Sequence, residues 1–187
     1  MVAGLVLMAW TLVAGAALHR YPGPNRLDHW GFAELGPSLH STLLARITEL
    51  GDLPALVVGS VLAALIVGGR DRARAVACLC GPVLAVILVD WLIKPLVGRR
   101  YLEVLTFPSG SVAAIAAVST AWVVALPGWW RAVAVVVGSV LVAAMIVAVI
   151  ALRWHYPSDA LGGAAVGAGT VLLLDGLLHL SGPGRSR

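Results

Sequence analysis

Charged residues are scarce in this chain of 187 residues: Asp, Glu, Lys and Arg make up 12% of it, whereas hydrophobic residues make up 60%. The mean hydropathy is +0.95. Several apolar runs approach the length of about 20 residues that a helix needs to cross a bilayer. The shortage of charge excludes an ordinary soluble protein, and the sequence predicts an integral membrane protein.

Cysteine is equally scarce. The two cysteines, Cys78 and Cys80, lie two positions apart within one apolar run and would point away from each other on a helix. They predict neither a disulfide nor a metal site, and no cofactor is expected. The net charge of +4 comes from basic residues scattered over short loops. Because these form no continuous patch, we expect no nucleic-acid partner.

The apolar runs predict an all-α fold, because a segment in lipid must satisfy its backbone hydrogen bonds internally. The period-two alternation of a membrane barrel is absent. The first run is expected to be a retained span, since no positive charge precedes it. We predict one transmembrane domain over residues 1–187, a six-helix bundle with spans at about 2–18, 53–69, 75–93, 109–127, 132–152 and 159–180.

Residues 19–52, between the first two runs, mix polar residues with leucines and an isoleucine at roughly helical spacing. Two interpretations stay open. The segment is either an amphipathic connection at the membrane interface or a solvated loop whose apolar residues pack on the bundle.

Basic residues in the loops predict the orientation only when candidate site residues are set aside. One side would hold Arg70, Arg72, Arg74, Arg131, Arg185 and Arg187. Without the candidate residues the other side keeps Arg20, Arg26 and Arg46. The positive-inside rule then predicts cytoplasmic termini and an active site on the extracytoplasmic face of the cell membrane.

Two predicted span ends carry clusters of polar residues that could bind an anion. Lys94, Arg99 and Arg100 follow the third span, where they could grip a polyanion, snorkel to lipid headgroups or, for Lys94, pair with Asp90 four residues earlier. Pro108, Ser109, Gly110 and Ser111 open the fourth span. A helix N-terminus with a hydroxyl and free amides can bind a phosphoryl group, and ordinary helix capping is the alternative.

A third cluster lies between the fifth and sixth spans. Arg153, His155 and Asp159 fall within seven positions, together with Tyr156, Pro157 and Ser158. A neutral imidazole can attack phosphorus, and a carboxylate beside its other nitrogen fixes the tautomer and stabilises the cation that forms. Ionisable residues at a membrane boundary favour a functional interpretation.

The order Lys-Arg cluster, Pro108-Ser109-Gly110 and His155-Tyr156-Pro157-Ser158-Asp159 resembles the type-2 phosphatidic acid phosphatase family of membrane lipid phosphatases. The resemblance covers residues 94–159 and the six-span plan. It implies that His155 attacks phosphorus to form a phosphohistidine and that Asp159 orients it. It also implies that Lys94, Arg99 and Arg100 bind phosphate oxygens, and that Ser109 and Gly110 complete the anion pocket, with no metal.

Three positions depart from that family's pattern. Ser111 replaces a second His that protonates the leaving group, and a hydroxyl is a poor general acid near neutral pH. A diphosphate substrate, whose leaving group is already a stable anion, is therefore favoured. Tyr101 occupies the place of an Arg in the first motif. Ala148-Val149 replaces Ser-Arg in the third, where Arg153, one turn further on, could supply the guanidinium.

The sequence thus predicts a phosphatase acting on a lipid phosphate or diphosphate, with a polyprenyl diphosphate favoured. Two alternatives remain: a catalytically weakened or inactive family member that binds lipid phosphate headgroups, and a small membrane transporter. The sequence predicts no oligomeric state. In the sixth span, Asp175 and His179 are expected either to pair locally or to meet water. A small-residue face should pack tightly against neighbouring helices: Gly162, Gly163, Ala164, Gly167, Ala168 and Gly169.

Overall fold

Helices dominate the computed structural model, which describes residues 1–35 and 41–181. In chain order the elements are α1 (Val2–Arg20), α2 (Arg26–Glu34), α3 (Ser41–Thr48), a 3-10 turn (Glu49–Gly51), α4 (Leu53–Gly68), α5 (Arg72–Ile87), a π-helical turn (Leu88–Ile93), α6 (Lys94–Val97), β1 (Arg100–Tyr101), β2 (Val104–Leu105), α7 (Gly110–Ala125), α8 (Gly128–Ala151) and α9 (Pro157–Ser181).

Each of the six predicted apolar segments is helical, which confirms the all-α class, but six full spans are not established. Among the described residues, four helices are long and apolar enough to cross a membrane: Val2–Arg20, Arg72–Val97, Gly128–Ala151 and Pro157–Ser181. A fifth is added if Thr42–Gly51 and Leu53–Gly68, bent by 50°, form one span. α7 is apolar but has only 16 residues. The chain is a multi-pass membrane protein.

α7 lies at the centre of the bundle and contacts α4, α5, α8 and α9. Its residues from Val112 to Ala117 are all buried, and most are Ala, which lets the neighbouring helices approach closely. A Cβ atom on Gly163 of α9 would collide with the Ser109 carbonyl oxygen, and one on Gly167 with that of Ala113. This contact confirms the tight packing predicted for the small-residue face of the last span.

The connection between α1 and α4 combines both predicted features. α2 begins with a reciprocal cap in which Asn25 and Asp28 each accept a hydrogen bond from the other's backbone N–H. In α3, Leu44 is buried against Ala148 of α8, whereas Leu43 is exposed. The segment therefore packs on the bundle with one side and presents apolar residues on the other. Residues 36–40 of this connection lie outside the described ranges.

The other end of the bundle, where α5 begins and α9 ends, is held by charged side chains. Arg74 Nε donates to Asp175 Oδ1 at 3.2 Å, and His179 Nε2 lies 2.9 Å from Asp71 Oδ2. His179 Nδ1 also lies 2.6 Å from the Asp175 carbonyl oxygen, which confirms the predicted local pairing. Arg185 and Arg187, used in the orientation count, lie outside the described residues.

Candidate active site

The N-termini of α7 and α9 meet at one end of the bundle and bring the sequence-predicted clusters together. The Ser109 backbone N–H donates to the Asp159 carbonyl oxygen at 2.9 Å. Lys94 and its partner Asp90 lie beside the same helix start, because a Cβ atom on Gly110 would be 3.7 Å from Lys94 Nζ and 3.5 Å from Asp90 Oδ1. Residues from three distant clusters therefore converge at one helix terminus.

Lys94 reaches this terminus from a break in regular helix geometry. The π-helical turn Leu88–Ile93 precedes it, and such turns are often found at functional sites. Lys94 Nζ donates to Asp90 Oδ1 at 2.7 Å, which confirms the pairing considered from the sequence. The Lys94 side chain is 18% exposed and that of Asp90 is 42% exposed. The ammonium group therefore lies beside the start of α7, with a half-exposed carboxylate as its partner.

The start of α7 is not capped by its own serine. Ser109 is the N-cap residue, but its hydroxyl makes no capping hydrogen bond, and the fully buried Oγ has no partner among the described residues. The first N–H groups of any helix, here from Gly110 onward, lack intrahelical acceptors. Ser111, in the first turn, packs near Gly51 of the 3-10 turn. The terminus thus presents a hydroxyl and amides suited to an anion.

His155 lies beside the Asp159 carboxylate without a hydrogen bond to it. Its Nδ1 is 3.9 Å from Asp159 Oδ2, is buried, and has no partner in the described part of the chain. The ring as a whole is 14% exposed, whereas Asp159 is fully buried. Asp159 Oδ2 accepts the Tyr156 backbone N–H at 3.1 Å. The carboxylate can act on the imidazole through its charge at this distance.

Arg99 is bound by protein groups rather than held ready for a phosphate, which differs from the sequence expectation. Its side chain is fully buried, and its five N–H groups are matched by five acceptors. Nη1 donates to Asp159 Oδ1 at 2.6 Å and to Ser158 Oγ at 2.7 Å. Nη2 donates to Asp28 Oδ2 at 2.6 Å and to the Gly23 carbonyl oxygen, and Nε donates to the Pro22 carbonyl oxygen.

Arg100 and Arg153 also point elsewhere. Arg100 is exposed on the β1–β2 hairpin and donates to the Glu103 carbonyl oxygen at 2.9 Å. Arg153, whose φ of 59° is left-handed, donates to the Phe32 carbonyl oxygen at 2.9 Å and stacks over that ring at 4.2 Å. Of the predicted cationic phosphate ligands, Lys94 is the one that the structure places beside the start of α7.

Aromatic rings cover this end of the bundle. Tyr156 contacts Phe32 of α2 and Tyr101 of the hairpin, with ring centroids 5.5 and 4.9 Å apart. The Arg99 guanidinium carbon lies 4.2 Å from the centre of the Tyr156 ring. Burial raises the pKa of the Tyr156 phenol above its ordinary value near 10, although the Arg99 charge opposes this. The phenol is therefore neutral at physiological pH.

Sequence reasoning missed Asp28, a fully buried carboxylate on α2. Burial alone would raise its pKa, but hydrogen bonds from Asn25, Ser158 and Arg99 outweigh burial and hold the pKa below the ordinary value near 3.8. Asp28 is therefore charged. The available signal was the spacing Asn25-x-x-Asp28, a helix-start pattern, in a chain where charge is scarce.

An apolar cleft of about 490 Å³ begins one helical turn beyond Ser111. It lies between α7 and α8, and its walls include Ile115, Trp122, Trp130 and Leu141. Such a volume and lining suit an apolar ligand chain.

Comparisons with known proteins identify the fold but not the substrate. No protein-family model and no curated protein matches the chain. A solved structure does: the crystal structure of a transmembrane PAP2-type phosphatidylglycerolphosphate phosphatase from Bacillus subtilis, with a TM-score of 0.70 and 19% sequence identity. The match covers 99% of this chain and 100% of that one. The chain has the PAP2-type phosphatase fold. The sequence resemblance is therefore confirmed at the level of the fold.

Within this PAP2-type fold, five sequence-predicted residues cluster at the joined starts of α7 and α9: Lys94, Ser109, Gly110, His155 and Asp159. Ser111 lies one position further along α7. Arg99 contacts this cluster through its hydrogen bond to the Asp159 carboxylate. The described residues contain no group of three or more His, Cys, Asp or Glu that could hold a metal ion.

Proposed function

We propose that this protein is a membrane phosphatase that hydrolyses a lipid phosphate or diphosphate through a covalent intermediate on His155. The observation that carries the proposal is the position of His155. Its buried Nδ1 lies 3.9 Å from Asp159, at the helix junction that also holds the Ser109 hydroxyl, which has no hydrogen-bond partner among the residues that the structure describes. An imidazole beside a carboxylate and an anion-binding terminus has the parts that phosphoryl transfer requires.

The proposed reaction has two steps. In the first, His155 Nε2 attacks the terminal phosphorus, an N–P bond forms, and the P–O bond to the lipid leaving group breaks. The Asp159 charge stabilises the cationic ring, while Lys94, Ser109 and the first amides of α7 bind the phosphoryl oxygens. In the second, water attacks phosphorus, the N–P bond breaks, and inorganic phosphate is released with His155 restored.

We favour a polyprenyl diphosphate as substrate because of Ser111. A hydroxyl near neutral pH does not deliver a proton to an alkoxide effectively. When the substrate is a diphosphate, the leaving group is a prenyl monophosphate, which departs as an anion without prior protonation. The apolar cleft beyond Ser111 suits the hydrocarbon chain of such a lipid.

Phosphate release by the full-length protein in lipid nanodiscs tests this proposal. Geranylgeranyl diphosphate, phosphatidic acid and phosphatidylglycerolphosphate are compared, and the diphosphate should give the fastest release. His155→Ala should reduce release to background, whereas His29→Ala, an exposed histidine on α2, should not. A radiolabelled phosphoenzyme, quenched in alkaline detergent where phosphoramidates survive, should map to His155. Equal release by the wild type and His155→Ala on every lipid would overturn the proposal.

Two other functions predict different results. A lipid-binding protein without turnover would retain radiolabelled lipid phosphate but release none, and His155→Ala would not alter release. A transporter would give solute flux in liposomes free of lipid phosphates. The charges of the described residues are concentrated at the helix ends rather than along the middle of the spans, which favours the phosphatase over a transporter.

We also propose that the site faces the extracytoplasmic side, with both termini in the cytoplasm. Basic loop residues outside the site support this orientation. The test places a cysteine at Glu103, on the hairpin beside the site, in a Cys78→Ala, Cys80→Ala background. A membrane-impermeant maleimide should label it in intact cells. Labelling that requires permeabilised cells would overturn the orientation and leave the chemistry unaffected.

A further inference from the structure

Asp28 is the most highly bonded carboxylate of the described residues, and it belongs to α2 rather than to a helix of the bundle. Its Oδ2 accepts from Arg99 Nη2 at 2.6 Å and from the Asn25 N–H at 3.0 Å. Its Oδ1 accepts from the Ser158 N–H at 2.9 Å and from the Ser158 hydroxyl at 2.7 Å. Asp28 therefore bonds the start of α9 directly, one residue before Asp159.

Arg99 lies between two carboxylates. Asp28 and Asp159 each lie 2.6 Å from one of its terminal nitrogens, and all three side chains are fully buried. One guanidinium thus faces two negative charges in a medium where charge is weakly screened. The three groups together carry a net charge of −1, and His155 Nδ1 lies 3.9 Å from the Asp159 oxygen that Arg99 does not bind.

This arrangement goes beyond what holding α2 in place requires. A buried ion pair stabilises a fold weakly, because desolvation offsets attraction, and one carboxylate already neutralises Arg99. The second carboxylate competes for the guanidinium and so leaves more negative charge on Asp159. That charge is needed when the His155 ring becomes cationic on bonding to phosphorus.

We propose that Asp28 is a positioning residue for phosphoryl transfer. By sharing the Arg99 charge it preserves the negative field of Asp159 at His155, and by binding Ser158 it fixes the start of α9. This inference rests on the proposed function of His155. Asp28 itself touches neither His155 nor the phosphate pocket, so its effect passes through Arg99 and Ser158.

Other ionisable groups act at this end of the molecule and must stay constant in the test. They come from the end of α1, α2, α3 and the 3-10 turn, the π-helical turn, α6, the hairpin, and the segment around the start of α9: His19, Arg20, Tyr21, Arg26, His29, Glu34, Arg46, Glu49, Asp52, Asp90, Lys94, Arg100, Tyr101, Glu103, Arg153 and Tyr156. None of them is changed by a substitution at Asp28.

Asp28→Asn tests the inference, because it keeps the side-chain shape and removes the charge. Arg99 should then pair fully with Asp159, and the Asp159 charge should stabilise the cationic His155 ring less. In the lipid diphosphate assay we expect kcat to fall by about 10- to 100-fold with KM nearly unchanged. The acidic limb of the pH–rate profile should move to lower pH. Asp28→Glu, which retains the charge, should leave the limb in place.

Asp175→Asn is the matched control. It also removes a helix-tethering carboxylate, at the opposite end of α9, and should lower the unfolding temperature without changing kcat or the pH limb. In Asp28→Asn, activity could fall only in proportion to the amount of folded protein, with the acidic limb of the pH–rate profile unchanged. That result would overturn the inference while the phosphatase proposal stands. Absence of His155-dependent release in the wild type would overturn both.

Ser158→Ala covers the case in which Asp28→Asn does not fold. It removes a hydroxyl that bonds both Asp28 and Arg99 and leaves every charge in place. We expect a several-fold loss of kcat with no shift of the limb, because only positioning is disturbed. Wild-type kcat in Ser158→Ala would overturn the part of the inference in which the Asp28–Ser158 hydroxyl contact positions the start of α9.

Discussion

Gly163→Ala should separate the two helices that build the site. A Cβ atom on Gly163 would overlap the Ser109 carbonyl oxygen and lie 3.2 Å from the Ala113 backbone nitrogen. These are backbone atoms, which cannot rotate away as a flexible side chain would. α9 must therefore move outward, and the 2.9 Å hydrogen bond from the Ser109 N–H to the Asp159 carbonyl oxygen must lengthen.

The expected magnitudes differ for stability and activity. Overpacking costs about 1–3 kcal/mol, and the higher helix propensity of Ala over Gly returns about 1 kcal/mol. Stability should fall by no more than about 2 kcal/mol, which corresponds to a few degrees in unfolding temperature. A shift of about 1 Å between His155 and the start of α7 should reduce phosphate release by about 100-fold. Activity should therefore be lost in protein that remains folded.

The assay compares phosphate release and thermal unfolding in the same nanodisc preparations. Gly68→Ala in α4 is the control, because a Cβ atom there meets only the Ala75 Cβ at 3.8 Å, an ordinary contact. It should keep wild-type release and unfold at the same or a higher temperature. Release by Gly163→Ala within about twofold of the wild type would refute the reasoning that this contact sets the site geometry.

Three further predictions follow from the structure. Ser111→His should increase release from a phosphate monoester by roughly tenfold more than from a diphosphate, because it supplies a leaving-group acid; equal changes for both substrates would contradict this. Lys94→Gln should raise KM and lower kcat, because it removes the ammonium beside Gly110. Steady-state kinetics measure both constants, with Asp90→Asn, which removes the partner of Lys94, as the comparison variant. Unchanged KM and kcat in Lys94→Gln would contradict this prediction. Hydrogen bonds from the Arg74 N–H and the His179 ring hold the pKa of Asp71 below 3.8, so the stability it contributes is present at neutral pH and lost as the pH falls below that value. The difference in unfolding temperature between the wild type and Asp71→Asn should therefore be largest near pH 6 and shrink in acid, and a constant difference would count against it.

The helices could be predicted because their signals are local. Apolar runs reported the six main helices within a few residues, and helix-start chemistry at Ser109 and Asp159 located both termini that meet at the site. Small residues such as Gly163 predicted the close helix contact. The number of full spans was harder to predict. α7 is apolar because neighbouring helices bury it, but its 16 residues are fewer than a helix needs to cross a bilayer.

The role of Arg99 could not be predicted from neighbouring residues. Its main partners are Asp28, 71 positions earlier, and Asp159, 60 positions later. The hairpin was missed for a different reason. Leu102 and Glu103 both have positive φ in its turn, where Gly or Asn would have given a signal. The role of Arg99 therefore depends on contacts between residues far apart in the sequence, which local sequence patterns do not show.

The buried charge network also constrains how the bundle is assembled. Arg99 receives one carboxylate from α2 and the other from α9, the last of the described helices. Before α9 joins the bundle, the network lacks Ser158 and Asp159. Arg99 then pairs with Asp28 alone, and α2 lacks its contacts with Ser158. The start of α9 therefore supplies both the second carboxylate for Arg99 and the contact that seats α2 on the bundle.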